Sequence, residues 1–183
     1  MTTQIDDETL ARQAPNDSGA FAELYRRHVA QVYRYHLAHT GSSVDAEDLT
    51  SQTFMAALDG IGRYRGSGSF AAWLMGIARR QTAQFFRRRK PELGLEQAGG
   101  LASPLPSIDL MVGRRISFQQ AREALKKISP ERAEALILTI FGGLSLADAA
   151  LALGKSEAAV KMLISRGLQD LRSRSVLALE VDS

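Results

Sequence analysis

Apolar residues recur at every third or fourth position through long stretches of this 183-residue chain. This spacing places them on one face of an α-helix, whereas a half-buried β-strand alternates apolar and polar residues. In the first half it marks helices over residues 21–33, 46–61 and about 70–89, with glycine-rich turns between them. No alternating run stands between hairpin turns, so the sequence predicts an all-α fold.

Residues 91–108 interrupt the helical pattern with three prolines and three glycines. Such a composition is typical of a linker between domains. We therefore expect two small helical domains, residues 1–90 and residues 112–183, joined by a flexible linker over residues 91–111. Segments of about seventy to ninety residues are long enough to fold on their own.

Composition excludes several kinds of protein. The chain has no cysteine, which excludes disulfides, thiolate nucleophiles and zinc sites built on sulfur. The first ten residues are partly acidic and lack a basic segment followed by an apolar run, so a secretory signal is not expected. The most apolar stretch, residues 133–141, is too short to cross a membrane. These features predict a cytoplasmic protein without membrane insertion.

A basic segment ends the first predicted domain. The net charge of the chain is only +3, but residues 79–90 hold six basic groups and no acidic one, with Phe85 and Phe86 between the two clusters. Cations attract phosphates and aromatic rings stack on unpaired bases, so this pattern favours melted or single-stranded nucleic acid. Because helical spacing places at least one phenylalanine beside Trp73 and Ile77, we interpret the rings as core residues and the charges as functional.

The second half carries the punctuation of a helix-turn-helix. Ser145 is placed to cap a short helix, with Asp148 in the capping-box position and Gly154 at the end. Ser156 is placed to cap a longer final helix. A preceding helix is predicted to begin at Ser129 and to end before the glycine pair at residues 142–143.

The final helix has two different faces. Its apolar face consists of Val160, Ile164, Gly167, Leu168 and Leu171. Its polar face consists of Ala158, Lys161, Met162, Ser165, Arg166 and Gln169. In a helix-turn-helix such a second helix lies in the major groove, where Lys161, Ser165 and Arg166 can contact phosphates or base edges. The alternative is an ordinary helical hairpin, with Met162 as a tolerated surface residue.

A histidine and carboxylate cluster offers one other interpretation. His36 and His39 are three residues apart on a helix and Asp48 lies nearby, which could suggest a metal-dependent hydrolase. No recognisable metal motif, catalytic triad, phosphate-binding glycine loop or pair of catalytic carboxylates supports it. We therefore predict no enzymatic activity, no metal, no cofactor and no small-molecule substrate.

Three segments, in this order and spacing, resemble the bacterial sigma factors of the extracytoplasmic-function type. DAEDLTSQTF, residues 45–54, is similar to the helix by which the family binds the clamp of RNA polymerase. YRGSGSFAAWLMGIARRQTAQFFRRRK, residues 64–90, resembles the segment that melts and reads the minus-ten promoter element. GLSLADAALALGKSEAAVKMLISRGLQDLR, residues 143–172, resembles the module that reads the minus-thirty-five element. The resemblance spans nearly the whole chain.

The resemblance implies a non-enzymatic initiation subunit that binds core RNA polymerase and promoter DNA, and that an anti-sigma protein sequesters. It assigns polymerase binding to Asp45, Glu47, Asp48, Leu49, Gln52 and Phe54. It assigns minus-ten binding to Arg79, Arg80, Gln84, Arg87, Arg88, Arg89 and Lys90. It assigns minus-thirty-five binding to Lys155, Ser156, Glu157, Lys161, Met162, Ser165 and Arg166. The alternative is a DNA-binding regulator that never contacts polymerase, with a sensor or dimerisation domain in its N-terminal half.

Departures from the family pattern fall on the surfaces that should set selectivity. Ser51 and Gln52 stand where glutamine and glutamate are usual, and Arg80 and Gln84 stand where asparagine and aspartate or asparagine are common. The preferred base at the minus-ten element is therefore open.

The final helix departs from the family pattern as well. Met162 and Leu163 replace a common serine-arginine pair, and Gly167 replaces alanine. We expect Met162 and Leu163 to be the positions at which this protein's promoter choice differs from that of its relatives. An exposed glycine at residue 167 should weaken the helix by about 1 kcal/mol relative to alanine.

Overall fold

The computed structural model describes residues 5–66, 68–89 and 111–181, and the side chains of residues 5–66, 68–89 and 118–173. In the first half the helices are α1 (Asp7–Gln13), α2 (Ser18–Thr40), α3 (Ser43–Gly60) and α4 (Phe70–Arg89). In the second half they are α5 (Met111–Leu125), α6 (Pro130–Leu136), α7 (Leu146–Leu153) and α8 (Glu157–Val181). A 3-10 turn, Ile61–Arg63, follows α3, and a π-helical turn, Ile137–Phe141, extends α6. The predicted all-α fold is confirmed.

The chain divides into two compact units, Met1–Ala102 and Ser103–Ser183. We call them the N-terminal and the C-terminal unit. The division falls between α4 and α5, among residues 90–110, which lie outside the described residues. The predicted linker lies almost wholly in that segment, so its boundaries stay a prediction. No described helix is both long enough and apolar enough to pass through a bilayer.

Side-chain caps set the helix starts in the N-terminal unit. The Asp17 carboxylate accepts hydrogen bonds from the backbone N–H groups of Gly19 and Ala20 at the start of α2. Gly41 ends α2 in the left-handed conformation, with a φ of 68°, and Ser42 then caps α3. The left-handed conformation costs an L residue energy that glycine does not pay, so this turn separates two helices that could otherwise run together.

The core of the N-terminal unit lies between α2, α3 and α4. Its largest fully buried side chains include Leu24 and Tyr35 of α2, Leu49 of α3, and Phe70 and Leu74 of α4. The short helix α1 adds the buried side chains of its own residues 10 and 11. The sequence pattern does not predict α1, because its seven residues are too few to show a helical stripe.

His36 joins the three main helices of this unit. Its Nε2 atom lies 2.9 Å from the Thr53 hydroxyl on α3, and its Nδ1 atom lies 3.0 Å from the Thr82 hydroxyl on α4. The Thr53 hydroxyl donates its proton to the Leu49 carbonyl, so it accepts from Nε2–H, while Thr82 donates to Nδ1. Burial lowers the pKa of His36 to about 3, so the ring is neutral.

These contacts make His36 a core residue. Both ring nitrogens are occupied by threonine hydroxyls, which leaves neither of them for a metal. Among the residues that the structure describes, no group of three or more histidine or acidic side chains is arranged to hold a metal ion. The hydrolase interpretation built on His36, His39 and Asp48 therefore gains no support.

In the C-terminal unit, α8 packs closely on α6 at Gly167. A Cβ atom added at this position would lie 2.8 Å from Leu136 Cδ1 and 3.4 Å from Arg132 Cβ. One turn further along α8, Asp170 pairs with Arg132. Gly167 is buried and not exposed, so its weak helix propensity is offset: the missing side chain allows the two helices to approach.

Candidate nucleic-acid and protein interfaces

The helix-turn-helix is built by caps that the sequence predicts. The Ser145 hydroxyl accepts from the Asp148 N–H at 3.1 Å and donates to the Asp148 carboxylate at 2.8 Å. Helix α7 ends at Gly154 with a φ of 62°, and the Ser156 hydroxyl then accepts from the Ala159 N–H at 3.2 Å. The left-handed Gly154 and the Ser156 cap together fix the direction in which α8 leaves the turn.

The two faces of α8 are as the sequence predicts. Val160 and Gly167 are buried, and the other members of the apolar face are half-buried. Every member of the polar face is exposed, including Met162 with 52% of its surface accessible. Lys161 and Arg166 have no acidic partner among the described side chains, so their charges are available to a phosphate or a base edge.

The side chains at the start of α8 are less available for contacts with DNA than those in its middle. Lys155 Nζ lies 3.3 Å from Glu131 Oε1, so part of its charge is satisfied within the unit. The Ser156 hydroxyl is used as the helix cap. Glu157 is exposed, and its negative charge favours the N-terminus of a helix. These three residues therefore orient the helix, while Lys161 and Arg166 carry its accessible positive charge.

Helix α4 has a buried face from Phe70 to Thr82, its last buried residue. One face is buried in the core of the N-terminal unit and includes Phe70, Leu74 and Thr82. The predicted minus-ten residues Arg80, Gln84 and Arg87 are exposed away from this face, and Arg88 and Arg89 are exposed in the last turn, which carries no buried residue. Arg79 is half-buried, and Lys90 lies outside the described residues. We call the exposed residues Arg80, Arg87, Arg88 and Arg89 the basic ridge of α4.

The two phenylalanines of α4 differ in exposure. The Phe85 ring is half-buried and lies under the Arg89 guanidinium, whose Cζ is 4.5 Å from the ring centre. The Phe86 ring packs against Phe85 in a T-shaped arrangement but is itself exposed. The expectation that the rings belong to the core therefore needs correction, since one points outward among the cations.

The predicted polymerase-binding segment on α3 also has two faces. Glu47, Asp48 and Gln52 are exposed and Asp45 is half-buried. Leu49 and Phe54 are buried and hold α3 on the core, so exposure lends no support to their assignment to polymerase binding, which stays a prediction. A motif written along one helix mixes both faces, because neighbouring residues are about 100° apart.

Three apolar residues on α3 are exposed, and none of the sequence-predicted binding residues is among them. Val44, Met55 and Leu58 all have more than half of their surface accessible, with Met55 at 68%. Their positions follow helical spacing with Asp48, so all four lie on one side of the helix. That spacing could have identified the surface. We call it the α3 face: Val44, Glu47, Asp48, Gln52, Met55 and Leu58.

Two parts of the chain match parts of one protein family. Residues 24–92 match Sigma-70 region 2, and residues 118–171 match Sigma-70, region 4. The first range contains α3, α4 and most of α2, and the second contains the helix-turn-helix. Helix α1 precedes both ranges.

Individual proteins extend this similarity along the chain. The ECF RNA polymerase sigma factor BldN of Streptomyces coelicolor is 33% identical over 171 residues, which are 90% of this chain and 63% of BldN. The chain thus spans less than two thirds of BldN. The RNA polymerase sigma factor NccH of Alcaligenes xylosoxydans xylosoxydans is 30% identical over 91% of this chain and 92% of its own.

A solved structure resembles this fold. CnrH, in complex with the cytosolic domain of CnrY, superposes with a TM-score of 0.73 at 25% identity. The match covers 97% of this chain and 99% of CnrH, a sigma factor of Cupriavidus metallidurans.

Proposed function

This chain belongs to the sigma-70 family, among the sigma factors of the extracytoplasmic-function type, and we propose which of its surfaces perform each part of initiation. Sigma factors bind core RNA polymerase and direct it to promoters, and they are initiation factors and not themselves catalysts. The assignment of surfaces to polymerase, to the minus-ten element and to the minus-thirty-five element is our proposal.

The α3 face is the polymerase-binding surface. The observation that carries this assignment is the exposure of Met55 and Leu58 beside Asp48 and Glu47. Exposed apolar side chains next to charged groups are typical of protein interfaces, where apolar area supplies affinity and charge supplies orientation. Neither acidic residue has a cationic partner among the described side chains. Both charges are therefore free to meet a basic partner.

Charge reversal tests this surface. In Asp48→Lys we expect the affinity for core RNA polymerase to fall about tenfold or more, because a complementary charge becomes a repulsive one. The fold should remain, since Asp48 is exposed. Ala30→Lys places a lysine on an exposed part of α2 and should bind like wild type. Unchanged binding of Asp48→Lys in a pull-down with core polymerase would contradict the assignment.

The basic ridge of α4 and the polar face of α8 are the two promoter-binding surfaces. Arg80, Arg87 and Arg88 are exposed, without an acidic partner among the described side chains, and suit the phosphates of the minus-ten region. On α8, Lys161 and Arg166 are the exposed cations that suit the minus-thirty-five element. Run-off transcription of genomic fragments with core polymerase tests whether the protein selects promoters at all, and co-purification with core polymerase separates it from an independent regulator.

An anti-sigma protein is the proposed regulator. The structure of CnrH contains the cytosolic domain of CnrY, and that of the sigma factor RpoE from Bartonella quintana contains the anti-sigma factor NepR. We place the protein in the cytoplasm, where RNA polymerase works. An anti-sigma protein that binds the α3 face should compete with core polymerase. Met55→Asp should weaken the binding of both partners.

A further inference from the structure

The start of α4 is held by a side chain from α1. The backbone N–H of Phe70, the first residue of α4, donates to Glu8 Oε1 at 3.2 Å. Ser69 provides the local cap, because its hydroxyl accepts from the Ala72 N–H at 3.1 Å. The first N–H groups of a helix have no partner within that helix. The orientation of this helix end therefore depends on one local cap and on one from 62 residues away.

Helix α1 is itself fixed in place. Asp7 Oδ1 lies 2.8 Å from Arg27 Nη1, and Asp7 Oδ2 lies 2.6 Å from His28 Nε2. The next turn of α1 buries Leu10 and Ala11 in the core. Glu8 thus extends from an anchored helix toward α4.

Phe70 connects this cap to a cluster of aromatic rings. Its buried ring lies 5.9 Å from the centre of Tyr64 and 5.6 Å from that of Trp73. Tyr64 and Trp73 are 5.4 Å apart and partly exposed. The Tyr64 hydroxyl donates to the Gly68 carbonyl at 3.0 Å. Burial, followed by the charge of Glu8, raises the pKa of Tyr64, which keeps this donor protonated.

We propose that Glu8 is a positioning residue for promoter opening, acting through the Phe70 backbone to orient Tyr64 and Trp73 at the start of α4. Partly exposed aromatic rings beside a basic helix can stack on unpaired bases. A shift of the first turn of α4 would move Phe70 and Trp73, the two rings against which Tyr64 packs. This inference rests on the proposed function of α4, and it assigns a role to a helix that precedes the range matching Sigma-70 region 2.

The test compares closed and opened DNA. A promoter is first selected by run-off transcription of genomic fragments with the wild-type protein and core polymerase. Two templates are then made, one fully duplex and one with a non-complementary minus-ten segment. The variants are Glu8→Ala, Glu8→Gln, whose amide oxygen can still accept from Phe70, and Asp17→Ala, which removes the cap of α2 in the same unit.

Glu8→Ala should lower the ratio of transcript from duplex to opened template about fivefold, the factor for loss of one N-terminal cap bond. Glu8→Gln and Asp17→Ala should keep the wild-type ratio, even if their absolute yields fall. An equal loss on both templates in Glu8→Ala would reduce Glu8 to a stabilising residue and overturn the inference, as would a low ratio in Asp17→Ala. If the wild-type protein and core polymerase transcribe no genomic fragment in the first step, the proposed function is overturned and the inference with it.

Discussion

Arg89, in the last turn of α4, places its Nη1 atom 3.1 Å from Oδ2 of Asp45 in the first turn of α3. One residue belongs to the proposed minus-ten surface and the other to the segment that resembles the polymerase-binding helix. The same guanidinium lies over the Phe85 ring, so Arg89 is directed toward α3 and not toward solvent alone. A DNA phosphate must compete with Asp45 for this side chain, whereas it meets Arg80 and Arg87 without such competition.

The Arg89–Asp45 pair should add little to stability. The Arg89 side chain is 52% exposed and Asp45 is 18% exposed, so water screens much of their attraction. In a double-mutant cycle with Asp45→Ala and Arg89→Ala, we expect a coupling energy below about 1 kcal/mol. Urea unfolding of the four proteins measures it. Arg88→Ala, which removes an exposed arginine next to it, is the control and should show no coupling to Asp45→Ala.

Acid should destabilise the N-terminal unit through His36. Its folded pKa, about 3, lies below the ordinary value of 6.5, so the unfolded chain binds the proton more readily. The stability of the neutral ring is complete above pH 6.5 and is lost as the pH falls toward 3. Between pH 7.5 and pH 5.5 this one group should cost about 1.4 kcal/mol of unfolding free energy.

A variant without this histidine isolates the effect of His36. His36→Gln removes the titrating group, so the difference in unfolding free energy between the two pH values should shrink by the amount predicted for His36. The variant is also expected to be less stable at pH 7.5, since glutamine cannot match both threonine hydroxyls. Urea unfolding of both proteins at both pH values measures the four unfolding free energies. An identical pH dependence in both proteins would show that His36 does not cause it.

The features that sequence analysis predicted depend on residues close together in the chain. Ser145 caps its own helix, Gly154 ends it, and Ser156 caps the next one, so each signal is read within a few residues. The faces of α8 follow from its own periodicity. Local chemistry alone therefore predicts the helix-turn-helix.

The features that it missed join residues that are far apart. Nothing near Glu8 indicates that its carboxylate reaches Phe70, and nothing near Gly167 indicates the approach of Leu136. The burial of Leu49 could have been inferred only by separating the two faces of α3. Tertiary packing decides such pairs, and it cannot be read from neighbouring residues.

Close packing at Gly167 predicts the effect of a small substitution. In Gly167→Ala the new Cβ meets the buried Leu136 side chain, and overpacking of this kind costs about 1–3 kcal/mol. The better helix propensity of alanine returns about 1 kcal/mol, so a net loss near 1 kcal/mol is expected. Adding Leu136→Val should recover part of it. Ser165→Ala, exposed on the same helix, is the control and should not lose stability.

The polar face of α8 separates affinity from selectivity. Lys161→Ala and Arg166→Ala should each weaken binding of the polymerase-bound protein to promoter DNA, because each removes one cation near phosphates or bases. In each variant the slope of log binding constant against log salt concentration should become shallower by about one. Met162 carries no charge, so Met162→Ser should leave the salt dependence unchanged. Met162→Ser should instead change which promoters the protein uses. The Met162 side chain is exposed between the two cations, so it faces the same groove and can contact a thymine methyl group. Transcription from promoters that differ only in the minus-thirty-five element measures this, and a uniform loss across all of them would show that Met162 does not select sequence.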